Sequence, residues 1–304
     1  MTIRKKSTAL LLGSSLVLAA LAIAQQTPAD LKTEKITDGV YMLVGSGGNI
    51  GVSVGADGVL IIDDQFAESA PAIRKSLAAL SGKPVHFLVN THWHGDHTGS
   101  NAAFGSDGAV IVAHDNVRRR LGMQQISGFD GKPIPPAPDV AQPTVTYASG
   151  AALHYNGEDF ELEHVASAHT DGDTIVRFIN ANVVHMGDTF FNTMYPFIDT
   201  SSGGSIDGMI AAADHVLAAI NDDTRIMPGH GPLAAKGDLV AYRQMLQAVR
   251  DNIAALIRAG KSQDEVIAAK PTADYDAAWG QGFIKPDVFA ARVYVDLRRS
   301  LHEG

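Results

Sequence analysis

The sequence predicts a domain of mixed α and β structure in which two β-sheets pack face to face with helices on the outside. Three observations carry that expectation. Strands precede helices in each half of the chain, and the second half echoes the first. Short runs such as Val59-Leu60-Ile61-Ile62 are apolar throughout, as in strands buried on both faces, and this one ends on Asp63-Asp64. With 304 residues and 45% hydrophobic content the chain can bury a substantial core.

The N-terminus reads as an export signal. Arg4, Lys5 and Lys6 precede an apolar run from Ala9 to Ala24, which closes on the small-x-small site Ala22-Ile23-Ala24 before polar Gln25-Gln26. We expect residues 1–24 to be a signal peptide, residues 25–304 to be the mature domain, and the protein to be periplasmic or secreted. The alternative is a retained membrane anchor, but an uncharged run of about 16 residues is short against the ~20 that a span needs. Cysteine is absent, so neither a disulfide nor a thiolate ligand is available. The net charge is −9, and −12 once Arg4, Lys5 and Lys6 are removed, which argues against nucleic acid as a partner.

After a polar linker over 25–35, Val40 to Val44, Asn49 to Val54 and Gly58 to Ile62 read as a strand meander broken at Gly45 to Gly48 and at Ala56-Asp57-Gly58. Pro71 to Leu80 is helical, with Ile73, Leu77 and Leu80 on one stripe and Gly82 beyond its end. Val85 to Val89 is the next buried strand. A helix begins near Ser100, Val110 to Val112 is a short strand, and Asp115 to Leu121 is a helix whose Arg118-Arg119-Arg120 reads as a solvated face. Between Met123 and Pro143 the composition turns to Gly and Pro, as in an extended loop that serves as a lid. Alternation resumes over Val145 to Val165, with a hairpin turn at Asn156-Gly157, and His154 and His164 there read as noncatalytic. Thr174 to Ile179, Val183 to His185 and Thr224 to Met227 are further strands. Leu239 to Ala259, Ser262 to Ala269 and Asp287 to Leu301 are helices. Met194-Tyr195-Pro196-Phe197 is an aromatic segment suited either to the core or to a substrate groove.

Chemistry concentrates in Thr91-His92-Trp93-His94-Gly95-Asp96-His97. Alternating residues at an extended strand end share a side, so His92 and His94 can grip one ion. Gly95 lets the chain turn, so Asp96 and His97 can face a second. Nitrogen and oxygen donors without thiolate suit zinc, with iron or manganese as alternatives.

This HxHxDH resembles the signature of the metallo-β-lactamase superfamily, and the resemblance extends over about Ile36 to Pro232. It implies an α+β four-layer αβ/βα sandwich with the metal site at one edge. In such a site His92, His94 and His169 hold the first of two zinc ions per chain, and Asp96, His97 and His230 hold the second. A third ligand beside His92 and His94 is needed in any case, and His169 follows a strand in the right part of the chain. Gly229 and Gly231 let the backbone approach an ion at His230. The resemblance makes Asp188, in Met186-Gly187-Asp188-Thr189, the carboxylate that bridges both ions, so that Asp96 and Asp188 are the carboxylates of the catalytic centre. It also puts Asp63 behind the ligands, where a simple turn cap is the alternative.

The implied activity is hydrolysis by a metal-bound hydroxide. The best-known β-lactamases of the family carry cysteine or serine at the position of Asp188, whereas glyoxalase II and other esterase-like members carry aspartate. Export favours a β-lactam ring as the small-molecule substrate. The alternative is a thioesterase or lactonase resembling glyoxalase II, and a further one is a noncatalytic metal-dependent binding module. Structural zinc sites lean on thiolates, which this chain lacks.

Overall fold

A computed structural model describes residues 31–303, so the signal peptide expected over 1–24 and the start of the mature chain lie outside the described residues. The first sheet is built from β1 (Lys32–Thr37), β2 (Val40–Val44), β3 (Ile50–Val54), β4 (Val59–Ile62), β5 (Val85–Val89) and β6 (Val110–His114). Helix α1 (Ala70–Leu80) joins β4 to β5, and α2 (Gly95–Thr98) and α3 (Asn101–Ser106) join β5 to β6. Then come α4 (Asp115–Leu121), a hairpin of β7 (Gln125–Ile126) and β8 (Pro133–Ile134), and β9 (Val145–Tyr147). The spatial order is β1-β2-β3-β4-β5-β6-β9, antiparallel up to β4 and parallel from there.

The second sheet runs β10 (Gly150–Tyr155), β11 (Glu158–His164), β12 (Thr174–Phe178), β13 (Val183–His185), β14 (Arg225–Met227) and β15 (Ala234–Ala235) in chain order. Helix α5 (Ile206–Ala219) links β13 to β14, and α6 (Lys236–Arg258), α7 (Gln263–Ala268), α8 (Asp276–Trp279) and α9 (Pro286–Glu303) complete the chain. Asn156 and Gly157 both have positive φ, at 58° and 73°, as the two-residue β10–β11 turn requires.

Three apolar layers hold these elements in the expected four-layer αβ/βα sandwich. Met42, Leu60, Ile62 and Val89 of the first sheet meet Phe160, Leu162, Val176 and Phe178 of the second. On the far side of the first sheet Leu43, Val59, Ile61 and Leu88 pack with Ile73, Leu77 and Phe104 of α1 and α3. Ile175 and Val184 pack instead with Met209 and Ala213 of α5 and with Leu246 and Val249 of α6. Strand β4 thus gives Leu60 and Ile62 to one layer and Val59 and Ile61 to the other, which is why its sequence shows no alternation.

Four local expectations need correction. Residues 32–35, read as linker, lie in β1, an edge strand whose exposed Lys32 and Thr33 are polar and whose order comes from backbone pairing with β2. Strand β5 is fully buried at Leu88 and Val89 alone, since His86 is exposed and Val85 and Phe87 are half-buried at the edge of the core layers. The Gly- and Pro-rich stretch contains the β7–β8 hairpin as well as loop. The arginine triplet is more than a solvated face, since Arg119 and Arg120 both pair with Asp171 and Arg118 donates to the Pro143 carbonyl.

Candidate metal centre

Strand β5 delivers Thr91 to His94, and the short α2 then turns Asp96 and His97 back toward the same point. His169 and Asp188 arrive on the loops after β11 and β13, and His230 on the loop after β14. Two groups of potential metal ligands form, His92, His94, His169 and Asp188 in one and Asp96, His97 and His230 in the other. Within each group the donor atoms lie within 4.8 Å of one another. All seven residues singled out by sequence are therefore brought together.

Asp188 faces both groups. Its Oδ2 is 3.5 Å from His169 Nε2 and 3.9 Å from His92 Nε2, while its Oδ1 is 3.1 Å from His97 Nε2 and 3.5 Å from His230 Nε2. Asp96 Oδ2 closes the second group at 3.2 Å from His230 Nε2 and 3.6 Å from His97 Nε2.

Outward hydrogen bonds fix the imidazoles. Asp63, fully buried, accepts at 2.7 Å from the Thr91 amide, from the Thr91 hydroxyl and from His97 Nδ1. Because the Thr91 hydroxyl gives its proton to Asp63, its oxygen is left to accept from His92 Nδ1 at 3.1 Å. His94 Nε2 donates to Asp199 Oδ2 at 3.0 Å, and His169 Nδ1 donates to the Phe197 carbonyl at 2.7 Å. Asp173 accepts from the His169 amide at 2.6 Å and clasps Thr170 besides. Each bond commits one ring nitrogen outward and turns the other into the site.

These bonds leave lone pairs facing each other. His94 Nδ1 and His169 Nε2 are 2.9 Å apart, and with their other nitrogens donating outward neither neutral ring has a proton to place between them. His92 Nε2 and Asp188 Oδ1 are buried without a hydrogen-bond partner. A cation among the three histidine nitrogens, and another beside Asp188 Oδ1 in the second group, would satisfy them, so the residues fit bound metal.

The metal-free electrostatics agree. Burial, with the neighbouring histidines, holds His92 well below the usual imidazole value and His169 at about 4, so both are neutral ligands at pH 7. Burial would also lower His97 and His230, but Asp188 and its fellow carboxylates outweigh it and raise both, His230 to about 9. Burial would raise Asp188, yet His97, His230 and His169 keep it well below the carboxylate range.

The backbone comes close where the sequence has glycine. A Cβ at Gly48 would lie 2.1 Å from His97 Cε1, and one at Gly229 would lie 2.0 Å from Asp188 Oδ1. Asp63 itself sits at φ 64°, a left-handed conformation that Asp tolerates better than most residues.

A cavity of about 490 Å³ opens over the centre, walled by Phe66, Trp93, Phe129, Ile134, Phe197 and Phe283. Phe129 and Ile134 come from the β7–β8 hairpin, so the expected lid region does border the site. Of the aromatic segment, Phe197 lines this cavity and Met194 an adjoining one, whereas Tyr195 is core, its hydroxyl held by Asp276 and the Thr272 carbonyl. His154 pairs with Asp159 on the surface and His164 stacks on His114, both away from the ligand groups. Sequence reasoning missed Asp199 and Asp173. The one local signal for Asp199 was Asp-Thr-Ser-Ser, a capping pattern that its Oδ1 fulfils on Ser201 and Ser202.

Residues 43–243 match the family model of the Metallo-beta-lactamase superfamily. The chain is 30% identical over 160 residues to the 2,4-dinitroanisole O-demethylase subunit alpha of Nocardioides sp. (strain JS1661), covering 51% of this chain and 43% of that protein. It is 29% identical over 186 residues to the hydroxyacylglutathione hydrolase of Polaromonas sp. (strain JS666 / ATCC BAA-500), covering 58% and 62%. It thus spans less than two thirds of either curated relative. Among solved structures, a metallo-beta-lactamase from Pontibacter korlensis superposes with a TM-score of 0.58 at 17% identity, over 72% of this chain and 99% of that one. The stereoselective inverting sec-alkylsulfatase Pisa1 from Pseudomonas sp. superposes with a TM-score of 0.67 at 15% identity, over 87% and 50%. At such identities the likeness concerns the fold. Among the described residues no helix is long and apolar enough to cross a membrane.

Proposed function

Because the chain belongs to the metallo-beta-lactamase superfamily, we propose that it is a zinc-dependent hydrolase of activated carboxylic acyl bonds, holding two ions in one centre. The observation that carries this reading is Asp188, whose two oxygens face the two ligand groups separately. His92, His94 and His169 would hold one ion, and Asp96, His97 and His230 the other, with Asp188 common to both. Five imidazoles, two carboxylates and no thiolate are a donor set suited to zinc. Bound zinc supplies Lewis acidity, which polarises an acyl oxygen and brings the pKa of water toward ~7.

The chain's own residues do the positioning. Asp63, Asp199 and the Phe197 carbonyl hold the outer nitrogens of His97, His94 and His169, so the inner nitrogens keep their aim without reorganising. The aromatic walls exclude water from one side of the acyl group. We place the protein outside the cytosol on the strength of its N-terminal segment alone.

Two substrate readings lie within this chemistry. Export favours a β-lactam ring. Aspartate at 188, together with a relative named hydroxyacylglutathione hydrolase, favours a thioester or lactone. A noncatalytic binding module would use the same cavity, so turnover is what separates it from the hydrolase reading. The test is metal analysis of the purified chain combined with assays on a chromogenic cephalosporin, a lactone panel and a glutathione thioester. About two equivalents of zinc and chelator-sensitive turnover are expected. Full activity in metal-free protein would overturn the proposal.

A further inference from the structure

We propose that the substrate is an uncharged ester or lactone whose aryl or hydrocarbon part lies beneath the β7–β8 hairpin, an inference that rests on the hydrolase reading above. The cavity of about 490 Å³ falls within the roughly 300–1,000 Å³ of pockets that enclose small ligands. Its walls are aromatic or aliphatic, and its polar contributions are Ser46, Ser127 and the candidate ligands His94, Asp96, Asp188 and His230. Among the described residues no lysine or arginine lines it.

Of the cations nearby, Arg120 and Arg292 lie behind those walls, Arg292 with its Nε buried and without a hydrogen-bond partner, and Lys32 lies on the rim of the adjoining cavity. Arg120 lies against the Trp93 ring and grips Asp171 with two nitrogens, at 2.7 and 2.8 Å. Arg292 lies 4.1 Å from the Phe197 ring centroid and donates to the Gly128 carbonyl at 2.9 Å. Lys32 borders the adjoining cavity and pairs with Glu34 at 2.9 Å. A substrate carboxylate placed along the aromatic walls would lose its water with no protein cation to replace it. The net charge of −9 repels anions at longer range as well. Penicillins, cephalosporins and glutathione thioesters all carry carboxylates, so a groove of this kind discriminates against the β-lactams and glutathione thioesters considered above.

The test uses the zinc-loaded full chain and the matched pair 2-naphthyl acetate and 6-acetoxy-2-naphthoate, which differ by one carboxylate remote from the ester. We expect kcat/KM to be at least about tenfold higher for the uncharged ester, because a desolvated, unpaired carboxylate is costly. The inert pair 2-acetylnaphthalene and 6-acetyl-2-naphthoate, followed by quenching of tryptophan fluorescence, should show the same order of binding. Phe129→Lys, at an exposed hairpin tip, should narrow the preference roughly five- to tenfold by giving the carboxylate a partner. Equal or better turnover and binding of the carboxylates overturns the proposal, as does an unchanged preference in Phe129→Lys. If the uncharged ketone binds preferentially but no ester, lactone, thioester or β-lactam is turned over, the hydrolase reading fails and takes the substrate assignment with it, while the charge selectivity of the groove is upheld.

Discussion

Replacing Asp63 with asparagine separates a residue that aims a ligand from one that merely caps a turn. In the folded chain its Oδ2 accepts both the Thr91 hydroxyl and His97 Nδ1 at 2.7 Å, while Oδ1 accepts the Thr91 amide. Asparagine adopts the left-handed backbone at φ 64° readily, and its carbonyl can still serve the Thr91 amide, so the turn survives. An NH₂ then stands where Oδ2 was, opposite a histidine donor. Losing a buried bond between a ring N–H and a charged acceptor costs about 1.5–3 kcal/mol. His97 escapes that cost by moving its proton to Nε2, the nitrogen that faces Asp96, Asp188 and His230. Either way the cost falls on the group Asp96, His97 and His230, where zinc affinity should drop about 10- to 100-fold. The group of His92, His94 and His169 should weaken less, since it loses only the indirect hold of Asp63, through the Thr91 hydroxyl, on His92 Nδ1. Competition against a chromophoric chelator resolves the two equivalents, and circular dichroism checks the fold. If both equivalents keep wild-type affinity, Asp63 is a turn cap only; if both weaken equally in a folded variant, the assignment of His97 to a separate group is wrong.

Asp188→Ala should lose the paired metal content and most of the rate, because two cations at short range then lack their shared anion; elemental analysis showing two retained equivalents would contradict this. Zinc uptake by metal-free protein at pH 7.5 should release protons from His97 and His230, in addition to any lost by metal-bound water, because both are raised while His92 and His169 are lowered and already neutral. Affinity at that group should accordingly fall as pH drops from about 9, and an indicator dye in weak buffer measures the protons directly. Gly48→Ala should displace His97, whose Cε1 lies 2.1 Å from the new Cβ, and cost about 1–3 kcal/mol of stability along with zinc at that group. Thermal melting with and without zinc would reveal it, and an unchanged zinc-induced shift would count against the placement of His97.

Much of the architecture was legible because burial on two faces leaves a continuous apolar run, as at Val59 to Ile62, and an exposed face leaves alternation, as at Gly150 to His164. Strand β1 left neither mark. Its residues are polar on the edge of the sheet, and what orders them is backbone pairing with β2. The β7–β8 hairpin was hidden for a similar reason, being two residues wide and proline-rich. At the centre, the compact HxHxDH was readable from its own spacing, whereas the placing of Asp188 and the grouping of His169 and His230 drew on the family resemblance. Asp199 was illegible because its partner His94 lies 105 residues away, a distance bridged only when the two sheets dock.

That docking has a consequence for how the protein acquires its metal. The first sheet and its loops contribute His92 and His94 to one group and Asp96 and His97 to the other, and the second contributes His169, Asp188 and His230. Neither half by itself offers more than two donors to either group. A nascent chain that has completed one half would therefore offer at most two donors to an ion, and tight capture would wait until both halves are in register. Metal retention would then report finished assembly.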